Sequence, residues 1–407
     1  MTLRVSTSQI YTQGATAMQE NQYKVSQTQL QLSSGKRILQ PSDDPIGSAV
    51  SLNLQQQIDV ANKYVDNGNS AESQLQVEES SLQSATDILG RIRDLALQGS
   101  NGTMGYQDRQ AMVIEIKQRL GELVGLANTQ LSSGKYLFAG FKSNVQPFTV
   151  NGTGTVVYSG DQGVHNVNVN STVQVAGADN GDKVFMNIPT GNGSFVSTAD
   201  KNNQGTGVIS NAVLEDPTAY VGDSYTVNFS QDASGNLVYQ ITGATSGPVY
   251  TAPLPQFDQN GKVSFNGVSF SISGVPSPGD SFTIQPSYSQ DMFTSVNQII
   301  NALNMSTDTD ALQTQFRNAM NVGMQNLDQA INHVNEVTAS VGSRLNVISS
   351  ERDINNSFVL ESKSALSTVQ DLDYASAATE LSKRTLTLQA AQQSFVKVQG
   401  LTLFQYL

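Results

Sequence analysis

The sequence predicts an α+β fold in which helices from both chain ends form an elongated coiled-coil rod, with an all-β domain inserted between them. Nine of the 11 prolines lie between Pro147 and Pro286, whereas residues 290–407 contain none. Eighteen of the 33 glycines fall between residues 147 and 289. In both flanking arms, apolar residues recur every seven positions. Because proline breaks helices and glycine weakens them, we expect helical arms around a different middle.

The N-terminal arm is predicted to contain three helices. The first is marked by apolar residues at the seven-residue spacing of a coiled coil, which recur along the arm at Tyr11, Met18, Val25, Leu32 and Leu39. The second is expected from Pro45 to about Gln98, and at ~1.5 Å per residue it would be roughly 80 Å long, too long for one compact globule. The third is expected from about Asp108 to Leu131.

Helix ends are marked by two further patterns. The string Gln-Leu-Ser-Ser-Gly-Lys occurs at residues 31–36 and again at 130–135, and we expect Gly35 and Gly134 to take the left-handed conformation that ends a helix. It is not a phosphate loop, since no Ser or Thr follows the Lys. Asp44 is expected to cap the second helix, with Pro45 at its first position, where the missing N–H costs nothing.

The middle of the chain has the alternation of short β-strands. Polar and apolar residues alternate in five runs, at residues 164–169, 224–229, 236–241, 263–268 and 282–284. Hairpin turns are expected at Asp232–Gly235 and Gln259–Lys262, because Asn and Gly accept positive φ. The sequence therefore predicts that this middle segment is an all-β insert.

The C-terminal arm repeats the seven-residue spacing, at Met320, Leu327, Val334, Val341 and Ile348 and again at Leu381, Leu388 and Phe395, with Val398 alongside. The helices of the two arms are therefore expected to pack together. The predicted domains are a terminal coiled-coil assembly region (1–40 and 375–407), a helical rod domain (41–146 and 290–374) and an inserted β-rich outer domain (147–289).

Composition excludes several classes of function. With 22 Lys and Arg against 34 Asp and Glu, the formal net charge is -12, which argues against nucleic-acid binding. The chain has no Cys for a disulfide, a thiolate nucleophile or a Cys/His zinc site. No segment approaches the ~20 apolar residues of a membrane helix, and the N-terminus lacks the apolar core of a signal peptide. We expect no catalytic residue, cofactor or metal, since His165 and His333 have no partner at an identifying spacing.

Both chain ends are apolar, although chain termini usually fray into solvent. We expect them to bury against one another or against a neighbouring subunit; a satellite core within one chain is the alternative. The arms, residues 1–35 and 375–407, are expected to order only when neighbours supply a surface. The subunit-interface residues predicted from the ends and the heptads are Leu3, Val5, Ile10, Tyr11, Met18, Val25, Leu32, Leu381, Leu388, Phe395, Val398, Leu403, Phe404, Tyr406 and Leu407.

Several motifs resemble bacterial flagellins and their relatives over about residues 1–145 and 290–407. Those similar to the flagellin N- and C-terminal regions are Ser33–Ile38, Pro41–Pro45, Arg91–Gln98, Val341–Leu345, Asp373–Leu381 and Leu388–Ala391. Those closer to the hook-associated members of the family are Arg4–Tyr11, Tyr136–Gly140 and Leu403–Leu407. The insert resembles nothing identifiable.

The resemblance implies a flagellin-like structural protein of the bacterial flagellum, not an enzyme, whose paired chain ends line a tube and whose insert projects outward. It implies an extracellular location after type III export without a cleaved signal peptide. For a hook-associated member, it implies a homo-oligomeric ring at the hook–filament junction. The implied partners are the other hook-associated junction protein, flagellin and an export chaperone at the C-terminal helices, with no nucleic acid or membrane. Arg91 and Leu95, with Gln98, would face other subunits.

Three alternatives stay open. The chain could be the bulk filament flagellin, which its hook-associated motifs argue against. The insert could instead be an enzyme domain such as a hydrolase, which two distant His residues support poorly, or a receptor- or glycan-binding module.

Overall fold

The computed structural model describes residues 7–102, 104–152, 154–259 and 261–400. In this part of the chain, six α-helices flank a β-rich segment, which confirms the predicted α+β fold. The helices are α1 Thr7–Ser34, α2 Pro45–Gly99, α3 Tyr106–Ala127, α4 Met292–Leu303, α5 Asp310–Gln370 and α6 Tyr374–Gly400. The strands are β1 Phe148–Val150, β2 Val156–Tyr158, β3 Asn166–Asn168, β4 Gln174–Ala176, β5 Ile188–Pro189, β6 Phe195–Ala199, β7 Val208–Ile209, β8 Val213–Leu214, β9 Tyr225–Gln231, β10 Leu237–Gly243, β11 Gly247–Pro248, β12 Lys262–Phe265, β13 Val268–Ser273, β14 Ser281–Pro286 and β15 Ser289–Gln290.

The chain divides into two compact units. Unit 1 comprises Met1–Asp66 and Ser350–Leu407, and unit 2 comprises Asn67–Ser349. In unit 1, α1 packs along α6. A small buried cluster of Ile58, Ala61 and Val359 joins the parts of α2 and α5 that belong to this unit.

The turn after α1 is held by the end of α5. Gly35 follows the last residue of α1 with a φ of 70°, and its carbonyl accepts a 2.9 Å hydrogen bond from the backbone N–H of Leu372. The backbone N–H of Arg37 donates to the carbonyl of Gln370 at 2.7 Å. The prediction that a left-handed Gly35 ends the first helix is therefore confirmed, and Leu39, the last position of the seven-residue seam, lies in the following turn, 38% exposed.

The start of α2 is organised by two adjacent carboxylates. Asp43 Oδ2 accepts hydrogen bonds from the backbone N–H groups of Leu39 and Gln40, at 3.0 and 3.1 Å. Asp44 Oδ1 accepts from the N–H of Gly47 at 2.8 Å, which satisfies a donor in the first turn of the helix. Pro45 is the first residue of α2.

The helices of unit 2 share one apolar core. On α2 the buried residues follow the predicted spacing, and α3, α4 and α5 bury matching stripes against them. The fully buried side chains of these helices include Leu75, Leu82, Leu89, Ile92, Ile116, Phe293, Val296, Leu327, Val334 and Val341.

The third helix ends earlier than predicted. Helix α3 stops at Ala127, because the side chain of Asn128 pairs with the backbone of Phe148: Oδ1 accepts from its N–H and Nδ2 donates to its carbonyl, both at 2.9 Å. The prediction that Gly134 ends a helix is wrong. Gly134, with a φ of 77°, closes a tight turn in which its N–H donates to the carbonyl of Leu131 at 2.8 Å.

The β-rich segment of unit 2 is antiparallel throughout its described pairs. One five-stranded sheet has the order β11-β10-β9-β14-β6, and a second has the order β12-β13-β7, with β8 also paired to β13. Three two-stranded ribbons join β1 to β2, β3 to β4 and β5 to β15. The two larger sheets enclose a core of Phe195, Tyr225, Val227, Ile241, Phe265, Phe270, Phe282 and Ile284.

Two hairpin predictions have different outcomes. The turn at Asp232–Gly235 is confirmed, since it joins β9 to β10, which pair from Gln231 and Leu237 onward. The predicted run 263–268 is instead broken by a turn at Asn266 and Gly267, whose φ angles of 43° and 74° suit a two-residue hairpin between β12 and β13. A turn is also present near the predicted Gln259–Lys262, where the N–H of Gly261 donates to the carbonyl of Asp258 at 2.9 Å, but the strands on either side of it, β11 and β12, do not pair, so it is not a hairpin; Asn260 is outside the described residues.

Candidate assembly surface

The predicted coiled-coil positions of α1 and α6 lie on the faces along which these helices pack. Tyr11, Met18, Val25 and Leu32 of α1 are half-buried, as are Leu381, Leu388 and Phe395 of α6. The rings of Tyr11 and Phe395 meet edge to face, with centroids 6.2 Å apart and planes at 80°. The structure thus brings predicted interface residues of the two arms together within one chain.

Polar contacts and a small residue fix the same seam. Arg384 Nη1 donates hydrogen bonds to the carbonyl of Lys24 at 3.1 Å and to Thr28 Oγ1 at 3.2 Å, and Thr28 is buried. Farther along, a Cβ added to Gly14 would lie 2.7 Å from Cδ2 of Phe395. A glycine therefore permits the close approach of this ring to α1.

Several predicted interface residues cannot be placed. Leu3, Val5, Leu403, Phe404, Tyr406 and Leu407 lie outside the described residues, as do the side chains of Ile10 and Val398.

The two interface residues on α2 differ in their surroundings. Arg91 is exposed, and its Nε lies 2.8 Å from Glu115 Oε1 in an ion pair. Leu95 is only 3% exposed and belongs to the apolar core of unit 2. The prediction that Leu95 contacts another subunit is therefore wrong, because its side chain faces this unit's own core.

The sequence reasoning missed a second set of apolar residues, which lie off the heptad seams of unit 1. These side chains are exposed to solvent, and some have more than two thirds of their surface exposed. Exposed apolar side chains mark an interaction surface when they form a contiguous patch. The four-residue spacing of Ile46 and Val50, and of Ile354 and Phe358, is a signal that could have found them. The set is Tyr23, Leu30, Ile46, Val50, Leu52, Val60, Ile354, Phe358, Leu360, Tyr374, Leu386 and Val396.

Charge is distributed unevenly between the units. Unit 1 has ten Lys and Arg against eleven Asp and Glu, whereas unit 2 has twelve against 23. Copies of unit 1 can therefore approach one another with little net repulsion, while unit 2 carries almost all of the net negative charge.

Unit 2 contains a buried charged cluster. Glu78 of α2 has no exposed surface, and Asp179, in the segment after β4, is 4% exposed. Asp179 accepts a 2.9 Å bond from Lys183 Nζ and forms an ion pair with Arg344 of α5. Burial, and to a smaller extent the charge of Asp179, raise the pKa of Glu78 to about 8, although the charge of Arg344 acts to lower it. Burial also opposes ionisation of Asp179, but its contacts with Lys183 and Arg344 leave its pKa lowered.

The two histidines lie in different surroundings. His165 packs edge-on against Phe141, with ring centroids 4.7 Å apart, and His333 Nε2 lies 2.7 Å from the carbonyl of Lys183. Among the described residues, no group of three or more His, Cys, Asp and Glu is placed to hold a metal ion. In the same part of the chain, no helix has the length and apolar character needed to span a membrane.

Comparisons with known proteins cover the whole chain. The bacterial flagellin N-terminal helical region matches residues 5–143, and the C-terminal helical region matches residues 324–407. Flagellar hook-associated protein 3 of Escherichia coli (strain K12) is 23% identical over 404 residues, 99% of each chain. Flagellin FlaB1 of Treponema pallidum is 33% identical over 186 residues, covering 45% of this chain and 62% of the relative.

Solved structures have the same fold. The crystal structure of flagellar hook associated protein-3 from Legionella pneumophila matches with a TM-score of 0.75 and 32% identity, covering 78% of this chain and 98% of that one. Xanthomonas campestris FlgL matches with a TM-score of 0.70 and 29% identity, covering 77% of this chain and 99% of that one.

Proposed function

The chain belongs to the bacterial flagellin family, and from this premise we propose that it is a structural subunit of the junction between the flagellar hook and the filament. The observation that carries the proposal is the extent of the match. Hook-associated relatives align with the chain along nearly their whole length, including a β-rich middle, whereas the similarity to FlaB1 covers less than half of it. A junction role is therefore favoured over a bulk filament role.

Assembly proceeds through self-association of unit 1. The seam between α1 and α6 uses one side of each helix, which leaves Leu30 and Leu386 in solvent, 57% and 67% exposed. Burying a side chain of this size is worth roughly 1.5–3 kcal/mol. Because unit 1 is nearly neutral, contact between copies does not have to overcome a large net charge. These features support a homo-oligomeric ring built from the chain ends.

The same premise supports the remaining partners. The ring would contact the other hook-associated junction protein on one side and flagellin on the other, and an export chaperone would hold the C-terminal helices before export. Export through the flagellar type III channel, without a cleaved signal peptide, would give an extracellular location. The role is structural rather than enzymatic, and no cofactor is required.

The terminal arms are the switch that keeps assembly conditional. The helices α1 and α6 pack mainly on one another, and a pair of helices with half-buried seams gains less from packing than the helices of unit 2 do from a full core. Helices α1 and α6 would therefore remain mobile in the free chain and order when neighbouring copies cover their outer faces.

The proposed function is tested by locating the protein in the flagellum. In cells that lack it, hooks are expected without attached filaments, and restoring the gene should restore the filaments. Immunogold labelling should mark only the boundary between hook and filament. Label along the whole filament would instead identify the chain as a filament flagellin, and filaments formed normally without the protein would refute the junction role.

A further inference from the structure

Unit 1 contains a groove between the start of α2, the turn before it and the end of α5. The groove has a volume of about 340 Å³. Its buried floor residue is Ile38, its exposed apolar edges are Leu39 and Leu52, and its charged lining residue is Lys36.

The groove offers exposed apolar area at Leu39 and Leu52 and a positive charge at Lys36. An occupant that fits must therefore bring apolar side chains and a negative charge.

A ridge on α5, also in unit 1, has both properties. Ile354 and Phe358 are 54% and 41% exposed, although both are large and apolar. Ser357 supplies a hydroxyl between them, and the charged residues lining this surface are Asp353 and Glu361. Because residues three, four, seven and eight apart share one side of a helix, all five lie on the same face.

We propose that the ridge Asp353–Glu361 of one copy docks in the groove around Lys36 and Leu52 of the next copy. The inference rests on the proposed self-assembly and names the surfaces that carry it. Charge distinguishes the ridge from other exposed apolar positions. Next to Leu386 and Val396 of α6 stand Lys383 and Lys397, which would be repelled by Lys36, whereas the ridge carries two carboxylates.

The contact is heterologous, since groove and ridge are different surfaces of the same chain. Repeated head-to-tail contacts of this kind close into rings or continue as helices. Phe358 of the ridge lies 12 residues before Gln370, which lines the groove, and this is roughly 18 Å along a helix at ~1.5 Å per residue. Neighbouring copies with parallel α5 helices are thus expected to be displaced by about this distance along the helix axis.

Cross-linking in assembled flagella tests the pairing, and the absence of native Cys makes introduced thiols unique. Cells would co-produce two full-length variants, Gln55→Cys at the groove and Glu361→Cys at the ridge, and a short bis-maleimide would be applied to purified flagella. We expect covalent dimers only when both variants are present. Leu386→Cys in place of Glu361→Cys is the matched control and should give few dimers.

Charge reversal provides a second test that does not depend on cross-linking chemistry. Lys36→Glu is expected to remove most of the protein from purified flagella, and adding Glu361→Lys in the same chain should restore it. Lys63→Glu, an exposed substitution on α2 outside the groove, is the control and should incorporate normally. Circular dichroism of each purified variant distinguishes loss of contact from loss of folding.

The outcomes separate the inference from the function on which it rests. If the cysteine variants reach the hook–filament boundary but give no mixed dimers, the groove and ridge do not meet and the inference is wrong, while the junction function stands. The same conclusion follows if Lys36→Glu incorporates normally. If the unmodified protein is itself absent from the boundary, the proposed function fails.

Discussion

The backbone N–H of Asp179 donates to both carboxylate oxygens of Glu78, at 3.2 and 3.3 Å, so two acidic residues meet inside unit 2. This hydrogen bond connects α2 to the segment after β4. The ion pair between Arg344 and Asp179 connects the same segment to α5. A carboxyl group in this position is held in its neutral form, because burial and the neighbouring carboxylate both disfavour its charge.

This pairing predicts that stability falls as pH rises. The raised pKa of Glu78, about 8, exceeds the ordinary value of 4.5, so between these values the folded chain retains a proton that the unfolded chain has lost. The free energy of unfolding should therefore decrease by up to about 1.4 kcal/mol per pH unit in this window, while below it Glu78 is protonated in both states and adds no pH dependence. Thermal unfolding followed by calorimetry from pH 5 to pH 8 measures the slope.

The matched variants for this prediction are Glu78→Gln and Glu79→Gln. Glu78→Gln should flatten the slope and raise the melting temperature at pH 8, because a neutral amide replaces a group that resists ionisation. Glu79→Gln removes a charge at the adjacent position and should leave the slope as it is. Equal slopes in the unmodified chain and in Glu78→Gln would contradict the assignment.

Gly14 and Gly90 differ in their surroundings, so replacing each by alanine should have opposite effects on stability. A Cβ at position 14 would lie 2.7 Å from Phe395, so Gly14→Ala must displace the ring at the seam of α1 and α6 and should destabilise their packing by about 1–3 kcal/mol. Gly90→Ala on α2 meets nothing within 4 Å and should stabilise the protein by about 0.5–1 kcal/mol through helix propensity. Helical circular dichroism during urea unfolding measures both. Stabilisation by Gly14→Ala would show that the seam is loosely packed.

The contacts of Arg109 predict that substituting this one residue strongly destabilises the protein. This side chain is only 3% exposed, and its guanidinium donates to the carbonyls of Leu303, Met104 and Met305, at 3.3, 3.3 and 2.9 Å. Arg109→Met would leave these carbonyls unpaired, at a cost of roughly 1–3 kcal/mol for each one that water cannot reach. Arg109→Lys should recover only part of the loss, since an ammonium group lacks the fork that reaches several acceptors. Urea unfolding midpoints of the two variants test the order, and equal midpoints would contradict it.

The seven-residue spacing was sufficient to place the long helices and most of their buried faces, because a helix of this length presents one stripe to its neighbours. Spacing alone could not identify the environment of Leu95, which the resemblance placed on a contact surface and the structure buries in a core. The cluster at Glu78 was missed, although its signal is visible in the sequence. Glu78 lies three residues after Leu75 and four before Leu82, in a stripe that is otherwise apolar.

Turns were predicted less well, because tertiary contacts decide between local alternatives. The string Gln-Leu-Ser-Ser-Gly-Lys ends a helix at Gly35, whereas its second copy follows a helix that Asn128 has already ended, so Gly134 closes a loop turn instead. The alternation over residues 263–268 predicts one strand, although Asn266-Gly267 within it is among the strongest short hairpin signals. Local composition therefore located the β-rich segment but not all of its turns.

Hydrogen exchange tests whether the terminal arms order only on assembly. In the free chain, amides of α1 and α6 should exchange much faster than those of α2 between Leu75 and Ile92, which lie in the large core of unit 2. In purified flagella the same α1 and α6 amides should become protected, because neighbouring copies cover their outer faces. Phe395→Ala, which removes the ring packed against Tyr11, should speed exchange in the free chain further and reduce incorporation at the hook. Strong protection of both arms in the free chain would mean that they are already folded before assembly, and a conditional switch would then have to lie elsewhere.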